Sequence, residues 1–452
     1  MKQLYYKYKP HYQTNLRLAI PVVISQLGHT LVQTADSIIV GHFVGTTALA
    51  AVSLVNSIFT IVLVIGIGLS YGLTPLIAQR NGRKQYDECG RLLSNSLLIN
   101  AVSGLLLYVF VYYGSVAVID QLDQSAEVVI LAKPYLNLLG FSIIPLMLFL
   151  TFKQFAEGLG FTKQAMVISI WGNALNVTLG IIFVKGLFGL EPMGIRSVGW
   201  STLIDRSIMA VVMAVYVLRS KHFKQYLKNF ALKSIDVYRS SRILKIGAPV
   251  ALQYTFEVGA FGAAAILIGT IGSVDQAAHQ VAINLASITY MMASGISAAA
   301  TIKTGNTFGR KDFIGMRLSA ISSYHIVLVF MSIAAISFAV LHQILPWMFT
   351  SDKRVILIAS QLLIIAGFFQ LFDGAQVVGL GVLRGMGDVN VPTFITFIAY
   401  WIIGIPAGYY IGIVLGYGAN GVWYGLTLGL LMSACLLFIR FNKISKKFAY
   451  NY

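Results

Sequence analysis

Four of the sixteen acidic residues, Asp36, Asp205, Glu257 and Asp373, fall inside long apolar stretches. A charged group at a bilayer centre costs at least ~2.5–3.5 kcal/mol, so such residues persist where they meet water, a partner, an ion or a proton. Three of them carry an amide three or four residues away, in Gln33-Thr-Ala-Asp36, Gln253-Tyr-Thr-Phe-Glu257 and Gln370-Leu-Phe-Asp373-Gly-Ala-Gln376. At helical spacing each amide shares a face with its acid. Ionised carboxylates joined by amide and carbonyl oxygens cage a small cation, whereas buried or crowded ones hold a proton. Either arrangement also attracts a cationic organic molecule. The competing reading is a polar helix–helix contact, and it weakens for three acids with no basic residue beside them. Asp205 differs, because Arg206 follows it. Consecutive helical residues point in different directions. That pair therefore reads equally well as structural, and neither residue joins the candidate set.

Further polar positions in apolar stretches are Asn56, Asn173, Asn176, Gln280 and Asn284. Asn173 and Asn176 share a helical face, a second polar patch that interhelical hydrogen bonding explains equally well. Tyr290, Met291 and Met292 suit an adaptable apolar wall. The candidate site residues are thus Asp36, Glu257 and Asp373 for the cation or substrate, supported by Gln33, Asn173, Asn176, Gln253, Gln280 and Gln370.

The elements that hold these residues must be membrane helices. Of 452 residues 57% are hydrophobic and 11% charged, too few charges to cover a soluble surface of this size. About twelve apolar stretches recur, near 17–41, 48–78, 92–115, 128–152, 164–185, 197–218, 246–270, 277–302, 318–341, 355–383, 392–415 and 419–439. Each matches the roughly 20 residues of a spanning helix, and none alternates like a barrel strand. The expected class is an all-α polytopic membrane protein. No cleavable signal peptide is expected, since the basic start leads into a first span without a small-residue cleavage site. Cys89, expected in a loop, and Cys435, in the last span, form no disulfide framework.

The net charge of +17 is a topology signal. Counting loops outward from a cytoplasmic N-terminus, only Lys133, Lys185, Arg196, Lys353 and Arg354 fall on the opposite face, and Arg206 lies within a span. That asymmetry predicts both termini in the cytoplasm of a plasma (inner) membrane protein and leaves nothing to support nucleic-acid binding.

The chain divides into two similar halves. Gly82-Arg-Lys84 recurs as Gly309-Arg-Lys311 and Gly158-Leu-Gly160 as Gly385-Met-Gly387, each 227 positions later, while Pro21 matches Pro249 at 228. The expected organisation is a six-helix lobe over 1–218, a basic linker over 219–245, and a second six-helix lobe over 246–452 with a short basic tail. Six spans per half make the repeat parallel, and transporters commonly place their sites between such repeats. Pro21 predicts a bend in the first span.

Several stretches resemble the multidrug and toxic compound extrusion (MATE) transporters of the bacterial NorM type. They are Gln33-Thr-Ala-Asp-Ser-Ile-Ile-Val-Gly41, Ala277-Ala-His-Gln-Val-Ala-Ile-Asn-Leu285, Phe369-Gln-Leu-Phe-Asp-Gly-Ala-Gln-Val-Val378 and Gly381-Val-Leu-Arg-Gly-Met-Gly-Asp388. The resemblance runs over nearly the whole chain. It implies twelve helices in two lobes around a central cavity open alternately to either side. It also implies export of small amphipathic, often cationic compounds in exchange for Na⁺ or H⁺, without a cofactor. By position Asp36 resembles the acid of the first-lobe site, and Glu257 with Asp373 the acidic pair of the second-lobe cation site, which would hold Na⁺. Two departures stand out. Phe369 occupies a position that is often Tyr in relatives, and Gly180 one where some carry a second first-lobe acid.

The nearest rival is a lipid-linked saccharide flippase of the same superfamily. Meeting phosphate calls for basic residues, and Arg206 is the only clear mid-membrane base. An enzyme is disfavoured because no nucleophile–base or His/Cys cluster falls in the spans. A channel is disfavoured because no filter element repeats, and ATP drive because no Gly-rich Lys-Ser/Thr loop exists. Na⁺ and H⁺ use the same carboxylates, so the spacing leaves the ion open. Monomer is the default.

Overall fold

The computed structural model describes residues 2–121 and 125–450; residues 1, 122–124, 451 and 452 lie outside this account. Among the described residues twelve helices are long and apolar enough to cross a membrane: α1 (Tyr6–Phe43), α2 (Thr46–Gly82), α3 (Tyr86–Ile119), α4 (Ala126–Gly158), α5 (Thr162–Lys185), α6 (Arg196–Arg219), α7 (Val237–Ile271), α8 (Ser273–Gly309), α9 (Phe313–Leu341), α10 (Lys353–Met386), α11 (Asn390–Val414) and α12 (Gly418–Phe448). Among the described residues there is no strand. With no water in hydrocarbon, backbone polar groups are satisfied within each segment, which long helices achieve. Large apolar side chains such as Leu31, Ile130, Trp171 and Ile266 stand exposed on them, as lipid-facing surfaces require.

The helices gather into two compact units. An N-terminal unit comprises Leu27–Ala251, and a C-terminal unit comprises Met1–Gln26 with Leu252–Tyr452. Both divisions fall inside helices, α1 and α7, near Pro21 and Pro249. The first span of each half therefore begins in one unit and ends in the other. The contacts that hold these beginnings repeat. In the N-terminal unit, a methyl group added to Gly68 of α2 would lie 2.7 Å from the backbone nitrogen of Ala251. In the C-terminal unit, one added to Gly295 of α8 would lie 2.7 Å from that of Val23. Gly68 and Gly295 are 227 residues apart, and Val23 and Ala251 are 228 apart. Small residues let helix backbones approach this closely.

Polar anchors reinforce both starts. Asn15 of α1 donates through Nδ2 to Ser322 Oγ at 2.7 Å, Ser323 Oγ at 2.9 Å and Ser319 O at 3.0 Å, all on α9. Asn95 of α3 donates to Ser234 O at 2.8 Å and accepts from Asp236 N and Ser240 Oγ, each at 2.9 Å. The basic segment before α7 is consequently docked. Phe223 is fully buried against Phe155, Phe161 and Tyr216, and Arg239 makes a bidentate pair with Glu88. The helix already starts at Val237, within the stretch expected to be linker.

Two corrections to the sequence reading concern single residues. Cys89 lies in α3 and is fully buried, not in a loop, and both cysteines are free. Arg384, just past the apolar stretch expected to end at 383, closes the last turn of α10 and is buried.

Candidate cation-coupling sites

The C-terminal unit brings Glu257 and Asp373 together. α10, which carries Asp373, is fixed against α8 by hydroxyls and glycines. Ser297 Oγ donates to Val377 O at 2.6 Å, Thr301 Oγ1 donates to Gly381 O at 2.8 Å, and Gly385 rides over the backbone of Thr301. Each such bond satisfies a hydroxyl that lipid could not. Asp373 is buried, near enough to Glu257 for their charges to act on each other. Glu257 accepts from Tyr290 of α8 at 3.3 Å and from Tyr400 of α11 at 3.4 Å. The Tyr400 hydroxyl accepts in turn from Gln376 Nε2 at 2.9 Å. Tyr400 lies on a wider π-helical turn, Ile398–Gly404, a local rewinding frequent at functional sites.

Several buried polar atoms here have no hydrogen-bond partner: Asp373 Oδ1, Gln376 Oε1, Gln253 Oε1, and both amide atoms of the fully buried Gln370. Leaving one buried polar group unsatisfied costs ~1–3 kcal/mol. A cluster in which most of the orphans are oxygens fits a small hard cation or a proton better than a permanent structural contact. Gln253 donates to Thr393 Oγ1 at 2.9 Å and Val389 O at 3.2 Å, which ties α7 to α11. Phe369 packs on Phe261 and Trp423. The hydroxyls come from Tyr290 and Tyr400 instead.

In the N-terminal unit Asp36 of α1 is buried with Oδ1 unpartnered. Asp205 and Arg206 of α6 lie within electrostatic reach of it. Arg206 donates to Ser142 Oγ at 2.7 Å and lies 5.6 Å from the centre of the Phe59 ring. Asn176 of α5 is buried and donates to Thr202 Oγ1 at 3.2 Å, leaving its Oδ1 unpartnered; Asp205 Oδ1 and Asn173 Nδ2 are unpartnered too.

Not every candidate joins a cluster. Gln33 is exposed. Gln280 is exposed and donates to Asn284 Oδ1 on its own helix at 3.1 Å. The expectation that the acids lack basic neighbours is corrected in both units. Arg206 acts on Asp36, and Arg384 acts on Glu257 while its guanidinium lies 5.9 Å from the Tyr254 ring centre. Arg384 is over a hundred residues from Glu257 in sequence, so spacing carried no signal. Asp205 did carry one, its place in an apolar stretch, and the adjacent arginine masked it.

The MatE family model matches the chain twice, over residues 21–182 and 249–410, the same two halves as the internal repeat. The multidrug resistance protein NorM of Photobacterium profundum is 32% identical, covering 97% of this chain and 97% of its own. The probable multidrug resistance protein NorM of Agrobacterium fabrum is 31% identical, covering 97% and 95%. Among solved structures, the eukaryotic MATE transporter AtDTX14 superposes with a TM-score of 0.89 at 18% identity, covering 98% of this chain and 99% of its own. An outward-facing multidrug resistance MATE transporter of the MOP superfamily gives 0.86 at 21% identity, covering 98% and 97%. These likenesses establish the twelve-helix fold.

Proposed function

Because the chain belongs to the MatE family of membrane transporters, and is not an enzyme, we propose that it is a multidrug efflux antiporter. It exports small amphipathic or cationic compounds in exchange for Na⁺ or H⁺. The observation that carries this reading is the buried pair Glu257 and Asp373, with unpartnered oxygens around it. Glu257, Asp373 and the Gln370 amide oxygen supply hard donors for a cation, and Tyr290 and Tyr400 hold Glu257 in place. A cation taken up from outside neutralises the carboxylates and weakens their hold on a cationic cargo. Exchange follows only if the outward- and inward-open states differ in affinity for each ligand. Each arginine stands with two acids, so neither cluster offers the surplus positive charge that a phosphate-bearing cargo needs. Both termini lie in the cytoplasm of the plasma membrane in this reading, and the chain works as a monomer.

The test is substrate efflux from proteoliposomes under separately imposed Na⁺ and H⁺ gradients. Efflux driven by at least one gradient is expected. Equal efflux with and without either gradient would remove the antiport mechanism.

A further inference from the structure

Asp205 and Arg206 lie outside the first-lobe residues assigned so far, Asp36 with Asn173 and Asn176. Their surroundings point to a ligand. Four polar atoms from three helices lack partners here: Asp36 Oδ1 on α1, Asn173 Nδ2 and Asn176 Oδ1 on α5, and Asp205 Oδ1 on α6. Asp36, Asn176 and Asp205 are each more than nine-tenths buried. Glycines admit the polar groups. A methyl group on Gly172 would lie 2.6 Å from Asp205 Oδ1, and one on Gly28 would collide with the Asn173 amide. The acid of α6 therefore fits against α5, and the amide of α5 against α1. The other ionisable neighbours are His29 of α1, Tyr135 of α4 and, beyond His29, Lys153 of α4.

We propose that Asp205 is the second carboxylate of a cation site in the N-terminal unit, with Arg206 setting its capacity at one monovalent cation, Na⁺ or H⁺. Two carboxylates and one guanidinium sum to one negative charge, so one such cation leaves the buried cluster neutral. Neutrality matters because each uncompensated charge in low dielectric costs several kcal/mol. Arg206 does not bond Asp205 directly. Its hydrogen bond goes to Ser142, and Asp205, which also meets Asn176, keeps Oδ1 unpartnered for the ion. This inference rests on the antiport reading for its role, but the site can be tested without transport.

The test is equilibrium binding of ²²Na⁺ to the full-length purified chain, with the other cluster neutralised by Glu257→Gln and Asp373→Asn. One Na⁺ per chain is expected to remain at alkaline pH. Asp36→Asn and Asp205→Asn should each weaken it by about 10–100-fold, while Asp205→Glu retains it at an unchanged thermal unfolding midpoint. Arg206→Gln should raise the capacity above one. Where the occupant is H⁺, Na⁺ binding is absent and an infrared carboxylic-acid band is lost in either Asp→Asn variant. Loss in Asp36→Asn with full retention in Asp205→Asn would make Asp205 structural and overturn the proposal. So would the absence of both signals. A cation bound here with no gradient-driven efflux would instead sink the antiport reading and leave the site standing.

Discussion

In the C-terminal unit the two carboxylates come from α7 and α10, and tyrosines from α8 and α11 reach one of them. In the N-terminal unit they come from α1 and α6, and amides of α5 stand around them. At the repeat offset, 228 along α1 and α7 and 227 further on, Asp36 corresponds to Ala264, Asp205 to Met432, Glu257 to His29 and Asp373 to Leu146. No acid maps onto an acid. The helix crossings do map. Gly158 lies over the Thr74 carbonyl in one unit as Gly385 lies over the Thr301 carbonyl in the other, and both pairs keep the same offset. The repeat thus preserves backbone approach, which tolerates only small residues. Charge is placed separately in each half, with Arg206 acting on both acids in one and Arg384 acting on Glu257 in the other.

The largest expected effect tests whether the two clusters are equivalent. Glu257→Gln or Asp373→Asn should reduce gradient-driven efflux to the level of protein-free vesicles, with membrane insertion unchanged. Full efflux in both variants, with loss in Asp36→Asn, would move the coupling to the other unit. Next comes the shared crossing. Gly385→Val and Gly158→Val should each destabilise the chain by ~1–3 kcal/mol through overpacking, read as a lowered unfolding midpoint in detergent. The cost should be greater at Gly385, where the added carbon would meet the facing carbonyl at 2.7 Å against 3.1 Å at Gly158. Equal costs would show that the C-terminal crossing relaxes.

A smaller effect separates the hydroxyl-bearing cluster from the amide-bearing one. Tyr400→Phe removes a donor to Glu257 and the acceptor of Gln376, which is worth ~1 kcal/mol. The half-saturating ion concentration for efflux should shift several-fold, and an unchanged value would detach Tyr400 from the site. The smallest lies outside the membrane. The backbone N–H and guanidinium of Arg239 hold the Asp236 carboxyl below the usual carboxylate range. Its folded pKa is depressed, so its contribution to docking the segment before α7 persists above the unfolded value of about 3.9 and is lost below it. Hydrogen exchange over residues 229–240 should match at neutral and mildly acidic pH and rise only below about pH 4. A rise already at mildly acidic pH would assign the docking to another group.

Twelve spans and the two-fold repeat were legible in the chain, because hydrocarbon imposes length and apolarity on each span locally, whereas the helix ends were not, α1 and α7 both starting well before their apolar stretches. The acids Asp36, Glu257 and Asp373 were legible for the same reason, as costly exceptions. Which exceptions share a site was decided by packing. Tyr290 and Tyr400 were indistinguishable from other membrane aromatics until α8 and α11 brought them to Glu257. Arg384 gave no sign of Glu257, and Asp205, followed by Arg206, read equally well as structural. The swapped starts of α1 and α7 were also invisible, since local sequence specifies that a segment is helical but not which neighbours it packs against. Hydropathy acts residue by residue, whereas charge compensation needs groups brought within a few ångströms, and only the tertiary structure does that.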